Sequence, residues 1–121
     1  SALAIETVKP LIYVRSKPKD YGTSKSVEGK IHDGMKVVMI DDVATTGGSV
    51  LNAIKSLTEV NVPVKDAYVI VDRMEGASEA LLKLGVKMHS ILNILQITEI
   101  LHEQKMINSE ILDKVKKQIN K

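Results

Sequence analysis

The sequence contains no cysteine, which excludes disulfide bonds, thiolate metal sites and cysteine nucleophiles. It also has no phenylalanine or tryptophan, so three tyrosines are its only aromatic residues. A chain so poor in aromatic rings offers few platforms on which unpaired bases could stack, and we expect no nucleic-acid partner. Its 17 basic and 15 acidic residues leave a formal net charge of +2, which is too balanced for a surface that binds polyanions.

Long hydrophobic runs are absent as well. The longest stretch without a charged residue, 43–54, has 12 residues and contains two adjacent glycines, so we expect no segment to span a membrane. The first residues lack the basic start of a secretory signal. The 121 positions hold 44% hydrophobic and 26% charged residues, which are ordinary globular proportions and predict one folded, cytoplasmic domain.

Short runs rich in valine and isoleucine alternate with stretches of helical periodicity. The runs predict four β-strands, at 11–14, 36–40, 67–71 and 86–92. The helical stretches predict helices near 50–57, 78–84, 97–102 and from 109 onward. Such alternation is typical of right-handed βαβ units, so we predict an α/β fold with an open, mostly parallel sheet and helices on both faces.

Two features depart from this alternation. The polar segment 16–30 has no hydrophobic period, and we expect a flexible loop over 15–30 that closes over a site. Residues 1–6 look like the end of a helix that leads directly into a strand, and four strands make a small sheet. We therefore expect 1–121 to be a single core domain that is N-terminally incomplete and ends in helices within 97–121.

Residues 37–49 carry the strongest functional signal. An apolar strand is expected to end at Asp41 and Asp42, and a loop of small residues then leads into a helix. Because the loop has no bulky side chain, its backbone N–H groups can surround an oxyanion, and the helix N-terminus adds positive potential. In open α/β sheets, ligands bind at the carboxyl ends of strands. We therefore predict a phosphate site over 44–49.

The two acids need a different ligand group. Adjacent carboxylates would repel a bare phosphate, whereas ribose hydroxyls or a hydrated Mg²⁺ suit them. A phosphate beside a diol or a metal indicates a ribose 5-phosphate. The segment is not a Walker loop, because no lysine follows Gly47 and Gly48, and its glycine spacing differs from that of the dinucleotide fingerprint.

Residues 37–49 resemble the phosphoribosyl pyrophosphate (PRPP) motif of type I phosphoribosyltransferases, in which four hydrophobic residues and two acids precede a small-residue loop. Three further segments resemble orotate phosphoribosyltransferases: Ala4-Ile5-Glu6-Thr7 with Lys9-Pro10, Leu11-Ile12-Tyr13-Val14-Arg15 with Lys19 and Gly22, and Val71-Asp72-Arg73-Met74-Glu75-Gly76-Ala77. The resemblance extends to about Gly85. It implies Mg²⁺-dependent transfer of 5-phosphoribosyl from PRPP to orotate, which yields orotidine 5′-monophosphate and pyrophosphate in pyrimidine synthesis.

The resemblance also implies a role for each residue. The two acids would hold the ribose hydroxyls, directly or through Mg²⁺-bound water, and Arg73 would bind orotate together with Thr45. Arg15 and Lys19 would neutralise the leaving pyrophosphate in the neighbouring site of a homodimer. Together with Asp41 and Asp42 they would form the catalytic residues. The implied PRPP site comprises Arg15, Lys19, Asp41, Asp42, Val43, Ala44, Thr45, Thr46, Gly47, Gly48 and Ser49.

The sequence departs from the family at Ser16 and Tyr21, where lysine and histidine are common. Three alternatives stay open: a purine or other type I phosphoribosyltransferase, a fragment that binds PRPP without chemistry, and a regulator built on the same fold. A purine enzyme would usually differ around 73–76. A regulator that binds nucleic acid needs a basic face, which the balanced charge does not supply.

Overall fold

A computed structural model of the chain describes residues 2–15 and 27–120. No helix within these ranges has both the length and the hydropathy needed to cross a bilayer. The elements in chain order are α1 (Ala2–Thr7), β1 (Tyr13–Val14), β2 (Val27–Glu28), β3 (Val37–Ala44), α2 (Gly48–Glu59), β4 (Val64–Asp72), α3 (Ala77–Leu82), β5 (Lys87–Asn93), α4 (Ile94–Glu103) and α5 (Ser109–Ile119).

The central element is a parallel sheet of three strands in the order β3-β4-β5. Because the order advances in one direction and such crossovers are right-handed, α2 and α3 lie on the same face of the sheet. The predicted α/β fold with parallel strands is confirmed. The main core cluster between this face and the helices comprises Val27, Val50, Ile54, Leu57, Val62, Val64, Ala67, Leu81 and Val86.

The first predicted strand does not join this sheet. β1 pairs antiparallel with β2, with Val14 opposite Val27, so the expected four-stranded sheet is wrong. Residues 27–28, near the end of the loop expected over 15–30, therefore form a strand. Val27 is 7% exposed and belongs to the main core, which gives β2 its anchor. A run of two residues is too short to show a period in the sequence.

The face of the sheet opposite α2 and α3 carries large exposed side chains. We expected helices on both faces, but the described residues cover this second face only in part. Ile40 pairs with Tyr68, and residues two positions apart along a strand share a face. We call the surface formed by the following residues, which are 45–73% exposed, the open face: Val38, Ile40, Tyr68, Ile70 and Ile91.

Candidate active site

The carboxyl ends of the three parallel strands lie level with one another. Ala44 pairs with Asp72, and Asp72 pairs with Asn93. The backbone N–H of Arg73 donates a hydrogen bond to the carbonyl of Ala44 at 2.9 Å. The segments that follow β3 and β4 therefore leave the sheet side by side, and two stretches that are separate in the sequence meet at one edge.

Asp41 and Asp42 lie inside β3 and not at its end, which corrects the expected strand boundary. The strand continues through Val43 and Ala44, because Val43 pairs with Val71 and extends the ladder with β4. Asp41 Oδ1 accepts the N–H of Asp42 at 2.9 Å, and Asp42 Oδ1 accepts the N–H of Val43 at 2.8 Å. Each carboxylate is thus oriented by the backbone of the next residue.

The two carboxyl groups have different electrostatics. Burial raises the pKa of Asp41, and the neighbouring Asp42 carboxylate acts in the same direction, against the hydrogen bond from the Asp42 N–H. The pKa of Asp42 is lowered, first by the hydrogen bond from the Val43 N–H and then by its contact with the Asp41 carboxyl. The exposed Asp42 therefore holds the firmer negative charge, where sugar hydroxyls or a hydrated cation can approach it from solvent.

The phosphate loop predicted over 44–49 leads directly into α2. Gly47 has a φ of 90° and is the N-cap of α2, so the N-cap residue itself has no side chain to cap the first turn. No acidic residue lies in that turn. Its backbone N–H groups and positive helix end are therefore left for an anion. Thr45 is half-buried, and the hydroxyl-bearing residues Thr46 and Ser49 are exposed.

Gly47 also packs against the start of α3. A Cβ at this position would lie 3.2 Å from the Cα of Ala77, and the left-handed φ would strain any residue with a side chain. Ala44 and Ala77 are buried together with Val69 in a small second cluster. Small residues on both segments thus allow the loop after β3 and the segment after β4 to approach closely.

Arg73 directly follows β4 at the same edge, and it has an acidic neighbour, Glu75, that the sequence did not indicate. Its Nε lies 3.3 Å from Glu75 Oε2. Met74 between them has a φ of 59°, and its N–H donates to Asp72 Oδ1 at 2.8 Å. A left-handed methionine cannot be read from residue types, so the sequence carried no signal for this pair.

A second feature missed from the sequence is a cleft of about 510 Å³ beside this segment. Side chains after β4, including Glu75 and Glu79, form one wall. Gln118 and Ile119, near the end of α5, form the other. The sequence predicted a helix from 109 onward, but its periodicity does not indicate what that helix packs against.

Of the two residues proposed to bind pyrophosphate, Arg15 and Lys19, only Arg15 lies within the described part of the chain. Arg15 Nη2 forms an ion pair with Glu28 Oε1 across the β1–β2 hairpin. Within residues 2–15 and 27–120, no ion pair joins Arg15 to Asp41 or Asp42. Lys19, Ser16, Tyr21 and most of the loop expected over 15–30 lie outside the described residues.

The arrangement defines a class: an α/β domain in which a parallel strand carries two acids shortly before its carboxyl end, where a loop of small residues leads into a helix N-terminus. Comparison with known families specifies it further. Residues 1–99 match the phosphoribosyl transferase domain, and the chain belongs to that family.

Known proteins similar to this chain include orotate phosphoribosyltransferases and a UMP synthase. Orotate phosphoribosyltransferase of Cenarchaeum symbiosum is 45% identical over 115 residues, which are 95% of this chain and 58% of the relative. A solved UMP synthase of Leishmania donovani superposes on 98% of this chain and 26% of its own, with 29% identity and a TM-score of 0.81.

A third similar protein is orotate phosphoribosyltransferase of Mycobacterium tuberculosis H37Rv, solved in complex with PRPP. It is 28% identical, with a TM-score of 0.62, and the match covers 73% of this chain and 49% of that one. This chain therefore spans only about half the length of the orotate phosphoribosyltransferases it matches.

Proposed function

We propose that this chain carries the PRPP and orotate sites of an orotate phosphoribosyltransferase. The reaction transfers 5-phosphoribosyl from PRPP to orotate and yields orotidine 5′-monophosphate and pyrophosphate, a step of pyrimidine synthesis. One observation carries the proposal: β3, which contains Asp41 and Asp42 and leads to the start of α2, ends at Ala44, and the backbone of Arg73 is bonded to Ala44. The names of the similar proteins support the same reaction.

Each part of the donor has a matching group at this edge. The first-turn N–H groups of α2, with the hydroxyls of Thr46 and Ser49, suit the 5′-phosphate of PRPP. Asp42 is exposed and ionised, so its oxygens can accept hydrogen bonds from the ribose hydroxyls. Arg73, beyond the Ala44 contact, suits the carboxylate of orotate because a guanidinium can donate two parallel hydrogen bonds to it.

The residues also fit a Mg²⁺ ion that arrives with PRPP. The described residues hold no group of three or more side chains that could enclose a metal by themselves. Mg²⁺ commonly keeps several waters and uses one or two carboxylates together with substrate phosphates, so the pair Asp41 and Asp42 is a sufficient protein contribution. When bound, the ion would neutralise part of the pyrophosphate charge.

Cleavage at the anomeric carbon develops positive charge on the sugar and negative charge on pyrophosphate. The Asp42 carboxylate would favour the positive centre, and cations near the leaving group would stabilise the transition state more than the ground state. We propose Arg15 and Lys19 for this second role. In this role Arg15 and Lys19 would act in the site of a second copy within a cytoplasmic homodimer.

Calorimetry tests the donor site directly. PRPP is titrated with Mg²⁺ into the 121-residue chain, into the variant Asp41→Asn with Asp42→Asn, and into a control with Asp33→Asn and Asp113→Asn. The control removes the same charge from exposed positions elsewhere. Loss of charged hydrogen bonds should weaken PRPP binding about tenfold or more in the first variant and leave the control unchanged. Equal affinity in both variants, or no binding by the folded parent chain, contradicts the proposal.

A further inference from the structure

The ion pair between Arg73 and Glu75 has no role in the mechanism above. Its partners are two residues apart, with Arg73 Nε and Glu75 Oε2 separated by 3.3 Å. Both side chains are accessible, at 51% and 36% exposure. The pair therefore lies where a ligand at the sheet edge could reach it, and it is not part of the hydrophobic core.

The backbone around the pair is held from several sides. Arg73 donates its N–H to Ala44, and Asp72 accepts the N–H of Met74. Met74 has a left-handed φ of 59°, a conformation uncommon for a residue with a long side chain. These contacts hold the backbone of Arg73 and Met74, so the segment that carries the pair has a defined course at the sheet edge.

The contact with Glu75 uses one side of the Arg73 guanidinium and leaves its other nitrogens for a ligand. A guanidinium carries five N–H donors, one on Nε and four on the two terminal nitrogens. Glu75 approaches Nε, and the described residues show no other ion pair with Arg73. The edge formed by Nη1 and Nη2 is the one that this contact leaves for another carboxylate, and a carboxylate bound there would receive two parallel hydrogen bonds.

We propose that Glu75 is a positioning residue that orients Arg73 so that its two terminal nitrogens face the carboxylate of the base. The inference rests on the proposed function, and it makes Glu75 a determinant of specificity for a carboxylated pyrimidine. Glu75 acts through Arg73 and does not contact the ligand. Fixing the guanidinium in advance reduces the side-chain freedom that ligand binding would otherwise remove.

A different role for Glu75 would be that of a counter-ion that competes with the base for Arg73. Two substitutions distinguish these roles. Glu75→Gln keeps an oxygen that accepts the Nε–H hydrogen bond but loses the charge, whereas Glu75→Ala loses both. Because both side chains are more than a third exposed, their charge attraction is strongly screened, and orientation is the larger effect.

Orotate binding is measured by calorimetry for the parent chain, Glu75→Gln, Glu75→Ala and the control Glu79→Gln. Glu79 lines the same cleft, and its substitution removes an equal charge. We expect Glu75→Ala to bind orotate about threefold to tenfold more weakly, and Glu75→Gln and Glu79→Gln to stay within about twofold of the parent. Equal or tighter binding by Glu75→Ala overturns the inference, as does equal weakening by the alanine and glutamine variants.

NMR of the arginine Nε–H groups provides a readout that needs no ligand. The chain has two arginines, Arg15 and Arg73, so two such signals are expected. Glu75→Ala should shift the Arg73 signal towards that of a free arginine, and Glu79→Gln should not; an unchanged signal in Glu75→Ala overturns the inference. Failure of the folded parent chain to bind orotate overturns the proposed function along with it, whereas binding that Glu75→Ala leaves intact overturns the inference alone.

Discussion

The adjacent residues Asp41 and Asp42 have pKa values shifted in opposite directions, because their surroundings differ. Asp41 is half-buried, and burial disfavours its charged form and raises its pKa. Asp42 is exposed and accepts the Val43 N–H, which favours its charged form and lowers its pKa. At neutral pH the ionised Asp41 therefore opposes folding and the ionised Asp42 favours it, although both carboxylates are proposed to serve the same ligand.

Single substitutions should separate these effects. Above the ordinary aspartate pKa of about 4, Asp41→Asn should unfold at the same temperature as the parent or higher, because it removes a charge that burial disfavours. Asp42→Asn should unfold at a lower temperature, and this deficit should disappear as the pH falls through the lowered pKa of Asp42. Both should weaken PRPP binding. Thermal unfolding followed by circular dichroism across pH measures this, and shifts of the same sign at neutral pH would contradict it.

At the scale of elements, the site depends on how one helix begins. α2 starts without a side-chain cap, and its N-cap is the left-handed Gly47. By contrast, α4 begins with a capping box in which Asn93 accepts the N–H of Gln96 and the Gln96 side chain accepts the N–H of Asn93. A cap of this kind occupies the N–H groups that an anion would use. The α2 start is therefore less stable by itself and better suited to a ligand.

The two glycines at this start provide a matched pair of substitutions. Gly47→Ala should destabilise the chain by about 1–2 kcal/mol, because alanine resists the left-handed conformation and its Cβ would press on Ala77. Gly48→Ala should be neutral or stabilising by up to about 1 kcal/mol, because Gly48 is helical and a Cβ there has nothing nearer than 3.9 Å. Urea unfolding measures both, and a Gly48→Ala cost as large as that of Gly47→Ala would contradict this account.

The accuracy of the sequence predictions varied with the range of the interactions involved. β4 and β5, α2 and α5 were located to within a few residues, since hydrophobic period and turn residues are local signals. The end of β3 was predicted too early, because two adjacent acids are typical of the point where a strand reaches solvent. The structure shows that β3 continues to pair with β4 beyond them. β2 was missed, because its stability comes from Val27 reaching a core built by distant residues.

At the scale of the whole molecule, the sheet has two unlike faces. One packs against α2 and α3, whereas the open face leaves residues such as Ile70 and Ile91 exposed at 53% and 73%. A contiguous apolar surface of this kind is unusual on a stable monomer. The chain spans 58% of the length of the Cenarchaeum relative, so the relative has additional chain that this sequence does not contain.

Neighbouring residues of β4 test which face contributes to stability. Val69 is 4% exposed and Ile70 is 53% exposed. Val69→Thr places a hydroxyl in the core and should destabilise the chain by about 1–3 kcal/mol. Ile70→Thr should change stability by less than about 0.5 kcal/mol and reduce the fluorescence of a hydrophobic dye. Equal destabilisation by both variants in urea unfolding would show that the open face is covered in solution.

The local features were predictable from the sequence: the parallel-strand pattern, the acid pair Asp41 and Asp42, and the small-residue loop that begins α2. These depend on residue type and spacing over a few positions, so they can be read along the chain. The folded structure was needed to establish that Arg73 is bonded to Ala44, that Glu75 pairs with Arg73 and that α5 lines the cleft beside them. These contacts come from strand register, a left-handed methionine and packing between distant segments, which no local pattern encodes.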